Sequence, residues 1–212
     1  MPQSTKKPQR RTYRPEVYTP EELDRLLKVC SRRAPTGIRN RALIVVGYRA
    51  GLRISEALDL RPHDLDLDGG HIHVRHGKGP KTRGGKARKV GLDAQACEIV
   101  QRWVDVRAKL EGMKRSSPLF CTLQGGRIKE AYIRAMLPRL RKRADIEKRL
   151  HFHGLRHTYA WELCKEGVPV ASIQKLLGHS SLESTAVYLS HLAPHDLIAV
   201  AHQRPAWGEE AE

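Results

Sequence analysis

Leu23, Leu26, Leu27 and Cys30 recur at steps of three and four, the spacing that lines one face of a helix. Ahead of them stands Thr19-Pro20-Glu21-Glu22. A capping Thr, a Pro at the first helical position and a Glu three residues after the cap mark a helix start. The same periodicity predicts a second helix from about Ile38 to Ala50, stopped by Gly51, and a short third one over Arg53 to Leu58, before Pro62. The pattern then changes to alternation. Asp66-Leu67-Asp68-Gly69-Gly70 reads as a turn, His71 to Arg75 as a strand and Lys89 to Leu92 as its partner. Between these strands Gly77 to Lys86 forms a long cationic hairpin loop. From Asp93 the pattern is helical again, with Ala96, Val100, Trp103, Val104 and Arg107 along one face. Leu119-Phe120-Cys121 is expected as a short third strand. Further helices are expected over Lys129–Arg143 (bent or broken at Pro138), Gly154–Glu166, Pro169–Leu177, Leu182–Leu189 and Pro194–His202. The fold class is therefore mainly α with a small antiparallel β-sheet, an α+β domain without internal repeats.

Composition narrows the partners. The 212 residues carry 39 Lys+Arg against 23 Asp+Glu, a formal charge of +16, which points to a polyanion. Aromatic residues make up only 5%, too few for a protein built on stacking platforms for single strands. No apolar run approaches the ~18 residues a membrane span needs. Met1 to Arg14 is basic but has no apolar core, unlike a secretory signal. Cys30, Cys97, Cys121 and Cys164 are far apart and form no CxxC pair, as expected of reduced thiols in a cytoplasmic protein. His71/His73 and His151/His153 are HxH pairs without a completing cysteine or acid cluster, so no metal is expected. Residues 1–15 hold Lys6, Lys7, Arg10, Arg11 and Arg14 and no acid, a flexible basic arm suited to phosphates.

Several segments place cations and histidines where a fold favours inert residues. Arg53 follows Gly51-Leu52 at the start of a short helix. His153-Gly154-Leu155-Arg156 opens another helix, whose N–H groups favour an anion. His179 follows a glycine at a helix stop, and Tyr188 lies between Val187 and Leu189. Singly each has a plain structural explanation: Arg53 pairs with Glu56, His153 serves as an N-cap, Tyr188 packs in the core.

Taken in order, Gly51-Leu52-Arg53-Ile54-Ser55-Glu56-Ala57-Leu58, His76-Gly77-Lys78-Gly79, His153-Gly154-Leu155-Arg156-His157-Thr158, Leu176-Leu177-Gly178-His179-Ser180 and Tyr188 resemble the boxes of the tyrosine recombinase (phage integrase) family. The resemblance runs from about Tyr18 to Leu192. It implies the catalytic-domain fold of that family and a site-specific recombinase that cuts and rejoins duplex DNA without a cofactor. Tyr188 would be the nucleophile, forming a 3′-phosphotyrosine and releasing a 5′-hydroxyl. Arg53 and Arg156 would clamp the non-bridging phosphate oxygens, with Glu56 supporting the pocket. Lys78 would protonate the leaving oxygen, and His153 and His179 would donate to the phosphate or relay protons.

The loop after Lys78 is longer than the common form of this motif, so Lys81 is a rival for the acid and Lys86 a remoter one. The family's N-terminal DNA-clamping domain is expected to be missing, which implies looser and more salt-sensitive binding. Three segments follow: the arm 1–15, a catalytic domain 16–192, and a C-terminal helix and tail 193–212. Leu197, Ile198 and Val200 offer that helix an apolar face, for docking on a neighbour in a homotetramer on two DNA sites or for packing on its own domain. Rival readings are a type IB topoisomerase that relaxes DNA as a monomer, a catalytically degenerate DNA-binding protein, and a helix-turn-helix formed by Val168 to Leu189.

Overall fold

The computed structural model describes residues 16–75, 87–111, 113–114 and 116–178. The arm 1–15, the hairpin loop 76–86 and the helices expected over Leu182–Leu189 and Pro194–His202 lie outside them. The chain forms α1 (Pro20–Lys28), α2 (Pro35–Arg49), α3 (Ile54–Asp59), a 3₁₀ turn (Pro62–Asp64), β1 (Leu65–Asp66), β2 (His71–Val74), β3 (Arg88–Gly91), α4 (Ala94–Ala108), α5 (Glu130–Arg143), α6 (Phe152–Lys165) and α7 (Val170–Leu177).

Local signals set several of these starts. Glu22 N–H donates to Thr19 Oγ1 while Glu22 returns a carboxylate to the Thr19 N–H, the reciprocal cap expected at α1. At α4 the cap is one-way: Asp93 Oδ1 accepts the Ala96 N–H. α2 starts three residues before the expected Ile38, because Pro35 supplies the preset φ of a first helical turn.

Three expectations need correction. The third strand is β1, not Leu119–Cys121: the antiparallel order is β1-β2-β3, with Leu65 opposite Ile72 and Ile72 opposite Val90. Leu119 and Phe120 form a buried plug instead, with the Leu119 N–H donating to the Leu60 carbonyl and Trp103 Nε1 donating to the Leu119 carbonyl. Once those backbone groups are satisfied by α4 and the 58–60 segment, no ladder is needed. α5 runs unbroken through Pro138, held by its buried face of Ile133, Met136, Leu137 and Leu140. α6 begins at Phe152, and its cap is His151 rather than His153: His151 Nδ1 accepts the Gly154 N–H at 3.0 Å.

The main core lies between α2 and α4, where Leu43, Val46, Val100 and Trp103 are fully enclosed. A second cluster of Ala160, Ile173 and Leu177 joins α6 to α7. Arg107, on the otherwise apolar face of α4, is buried but donates to the carbonyls of Pro118 and Ser117. Among the described residues no helix is long and apolar enough to cross a membrane. Trp103→Ala, which removes a large enclosed ring and orphans the Leu119 carbonyl, is expected to lower stability by about 3–5 kcal/mol in urea unfolding. A loss within experimental error would contradict this packing.

Candidate active site

Gly51 ends α2 with φ +59, a region closed to most L residues, and a Cβ there would collide with the Tyr159 ring. The turn sends Leu52 into the core and leaves Arg53 as the residue before α3. Glu56, one turn on, hooks back: its Oε2 accepts the Arg53 backbone N–H at 2.9 Å and its Oε1 accepts Arg53 Nη1 at 2.9 Å. Arg156 comes from the first half of α6, whose direction the His151 cap fixes, and its side chain is fully enclosed. It donates from Nη1 to the Gly51 carbonyl at 2.8 Å, and Nη1 lies 3.7 Å from Glu56 Oε2.

Arg88, the first residue of β3, supplies a third guanidinium. Nη1 reaches Glu56 Oε1 at 3.1 Å and Nη2 reaches Oε2 at 2.9 Å. The three arginines also grip the end of α7 in register. Arg88 Nε donates to the Leu176 carbonyl at 2.7 Å, Arg156 Nη2 to that of Leu177 at 2.7 Å, and Arg53 Nη2 to that of Gly178 at 3.2 Å. Helix carbonyls at this end carry partial negative charge and lack partners within the helix, so cations suit them.

Burial would raise the Glu56 pKa, but the hydrogen bonds and charge of Arg88, the Arg53 N–H and the Arg156 charge together hold it down to about 2. Glu56 is therefore an anion at any physiological pH. One carboxylate among three guanidiniums leaves this group net positive. His153 stands in the first turn of α6, its ring edge-on to His157 at 4.2 Å between centroids. Enclosure by protein atoms, followed by the charges of Arg156, His151 and Arg53, pushes its pKa down to about 4, although the residue keeps an exposed side. At neutral pH it is an uncharged imidazole with one N–H to give and one lone pair to receive. Such a group beside two guanidiniums is suited to the oxygens of a phosphodiester.

Of the residues singled out in the sequence, Arg53, Glu56, His153 and Arg156 come together here. Lys78, with its rivals Lys81 and Lys86, lies outside the described residues, as do His179 and Tyr188. The described chain ends at Gly178, seated on Arg53, so His179 follows directly from the site. Arg88 escaped the sequence reading, which started that strand at Lys89. A signal was present: Arg88 stands two residues before the buried Val90, so it shares the inward face of β3. Among the described residues no group of three His, Cys, Asp or Glu side chains is arranged to hold a metal ion.

The model of the phage integrase family matches residues 16–195. The tyrosine recombinase XerC of Oceanobacillus iheyensis is 38% identical over 173 residues, which make up 79% of this chain and 54% of that protein. The chain thus spans about half the length of that relative. Among solved structures, the XerA recombinase superposes with a TM-score of 0.76 at 28% identity, over 92% of this chain and 67% of that one. The XerH site-specific recombinase, in a post-cleavage complex with its palindromic difH substrate, gives a TM-score of 0.72 at 29% identity, over 90% of this chain and 54% of that one.

Proposed function

We propose, since this chain belongs to the phage integrase family, that it breaks and rejoins duplex DNA as a site-specific tyrosine recombinase. The observation that carries this reading is the convergence of Arg53, Glu56, Arg156 and His153 at the end of α7, immediately before His179, which itself stands nine residues before Tyr188.

In the proposed reaction, Tyr188 gives up its phenolic proton to solvent, directly or through a relay histidine, as its Oη attacks the scissile phosphorus; the Tyr–phosphate bond forms, and the bond to the 5′-oxygen breaks. Lys78, or Lys81 in its place, gives the leaving oxygen a proton. Attack by a 5′-hydroxyl on the phosphotyrosine reverses the step, so the phosphodiester energy is retained and no energy cofactor is consumed. The chemistry has a clear electrostatic requirement. A phenol with a pKa near 10 is about one part in a thousand ionised at pH 7, a deficit of roughly 4 kcal/mol. Charge also builds on the equatorial oxygens during transfer. Arg53 and Arg156, always protonated and fork-shaped, match those oxygens, and neutral His153 donates a further hydrogen bond. The XerH recombinase bound to its palindromic difH substrate supports duplex DNA as the substrate, and the +16 charge suits it. A catalytic unit over 16–192, flanked by the basic arm and the C-terminal tail, and a homotetramer on two DNA sites complete the proposal.

A pool of duplexes, each nicked near the centre and randomised around the nick, tests it. Cleavage beside a nick releases a short fragment and traps the enzyme. The expected result is an SDS-resistant protein–DNA band. No such band across the pool would refute the cleavage reading. Bands accompanied by plasmid relaxation but no strand exchange would move the function to a topoisomerase.

A further inference from the structure

Arg88 has no part in the scheme above, yet all three nitrogens of its guanidinium are engaged. The fork closes on both oxygens of Glu56, and Nε holds the Leu176 carbonyl. The side chain is only 8% exposed. An enclosed cation with this many fixed partners is a costly feature unless the geometry it enforces matters. A Cβ at Gly178 would also stand 2.9 Å from Arg88 Nη1, so the glycine turn at the end of α7 is fitted around this side chain.

We propose that Arg88 is a positioning residue for the DNA-cleavage reaction: it saturates Glu56 and pins the end of α7, so that the Arg53 and Arg156 guanidiniums stay aimed for phosphate oxygens and are not drawn onto the carboxylate. The proposal rests on the cleavage reading above.

The count of lone pairs carries it. An ionised carboxylate has about four acceptor sites. Glu56 accepts from the Arg53 backbone N–H, Arg53 Nη1, Arg88 Nη1 and Arg88 Nη2. Remove Arg88 and two of those sites open in an enclosed setting, where an unmet acceptor is costly. The nearest replacements are the guanidiniums meant for the substrate: Arg53, already on Oε1, and Arg156, whose Nη1 is 3.7 Å from Oε2. Either would turn toward Glu56 and away from phosphate. Loss of Arg88 would also release the Leu176 carbonyl, the first of three successive carbonyls held by three different arginines. The chain that leaves Gly178 for His179 and Tyr188 starts from that grip. Arg88 thus couples two requirements, correctly aimed guanidiniums and a fixed point of departure for the nucleophile's segment, without touching DNA.

The test compares Arg88→Gln and Arg88→Lys with the wild type on the nicked duplex pool, reading the rate of adduct formation at saturating protein and, separately, DNA retention in a gel. Arg88→Gln is expected to slow adduct formation about 100-fold, the scale of a small misplacement of reacting groups, with DNA retention unchanged. Arg88→Lys should fall between the two, since a single ammonium cannot span Glu56 and Leu176 together. Because Arg88 acts through Glu56, adding Arg88→Gln to Glu56→Gln should cost far less than it does alone. A wild-type rate for Arg88→Lys or Arg88→Gln overturns the proposal. So do losses that multiply in the double variant, or circular dichroism showing both single variants unfolded, which would make Arg88 a requirement of folding only. A wild-type chain that forms no adduct refutes the cleavage reading itself, before Arg88 enters, and the proposal falls with it.

Discussion

Tyr188→Phe is expected to abolish the SDS-resistant adduct while the variant still retards duplex DNA in a gel. The substitution removes one oxygen and leaves the ring. Binding of a polyanion by a chain of charge +16 does not depend on that oxygen, whereas a phosphotyrosine bond cannot form without it. No partial activity is expected, because a lost nucleophile differs from a lost donor: there is no weaker version of the same step. A residual adduct on Tyr188→Phe would show that another side chain attacks. Loss of DNA retention together with the adduct would place Tyr188 in the framework of the protein.

Arg53→Ala and Arg156→Ala are expected to slow adduct formation by similar factors, about 100- to 1,000-fold each, the usual effect of deleting a preorganised donor at a developing charge. They should differ sharply in stability. Arg53 is 36% exposed at its side chain and shares Glu56 with Arg88, so its loss leaves the carboxylate partnered. Arg156 is fully enclosed and holds the carbonyls of Gly51 and Leu177. Its removal strands both, at roughly 1–3 kcal/mol for each buried acceptor left unmet. Thermal unfolding should therefore show Arg53→Ala near the wild type and Arg156→Ala several degrees lower. Equal melting temperatures would mean that the Arg156 hydrogen bonds contribute nothing to the fold.

The contrast between local and distant interactions explains what the chain reveals about itself. The reciprocal cap at Thr19 and Glu22 spans three residues, so its residue types announce the start of α1 directly. Arg53 and Glu56 are equally close, and their pairing was foreseen. Arg88 was not, because its partners lie 32 and 88 positions away and no local pattern records them. Asp66, the second residue of the two-residue β1, reads as the start of a turn, since alternation over two positions is no pattern at all. The cap of α6 posed a different problem. His151 and His153 are chemically identical, and only the meeting of His151 Nδ1 with the Gly154 N–H distinguishes the cap from the residue that faces the arginines.

The register of Arg88, Arg156 and Arg53 on three successive carbonyls also has a consequence for the order of folding. Its bonds close loops of 88, 21 and 125 residues. Contacts that enclose so much chain form late, after the helices they join have already packed. A ribosome-bound chain that has released α2 and α3 but not α7 therefore holds Arg53 and Glu56 without the frame that aims them. The three-arginine frame is therefore complete only once α7 has emerged, well after the residues that it aims have been made.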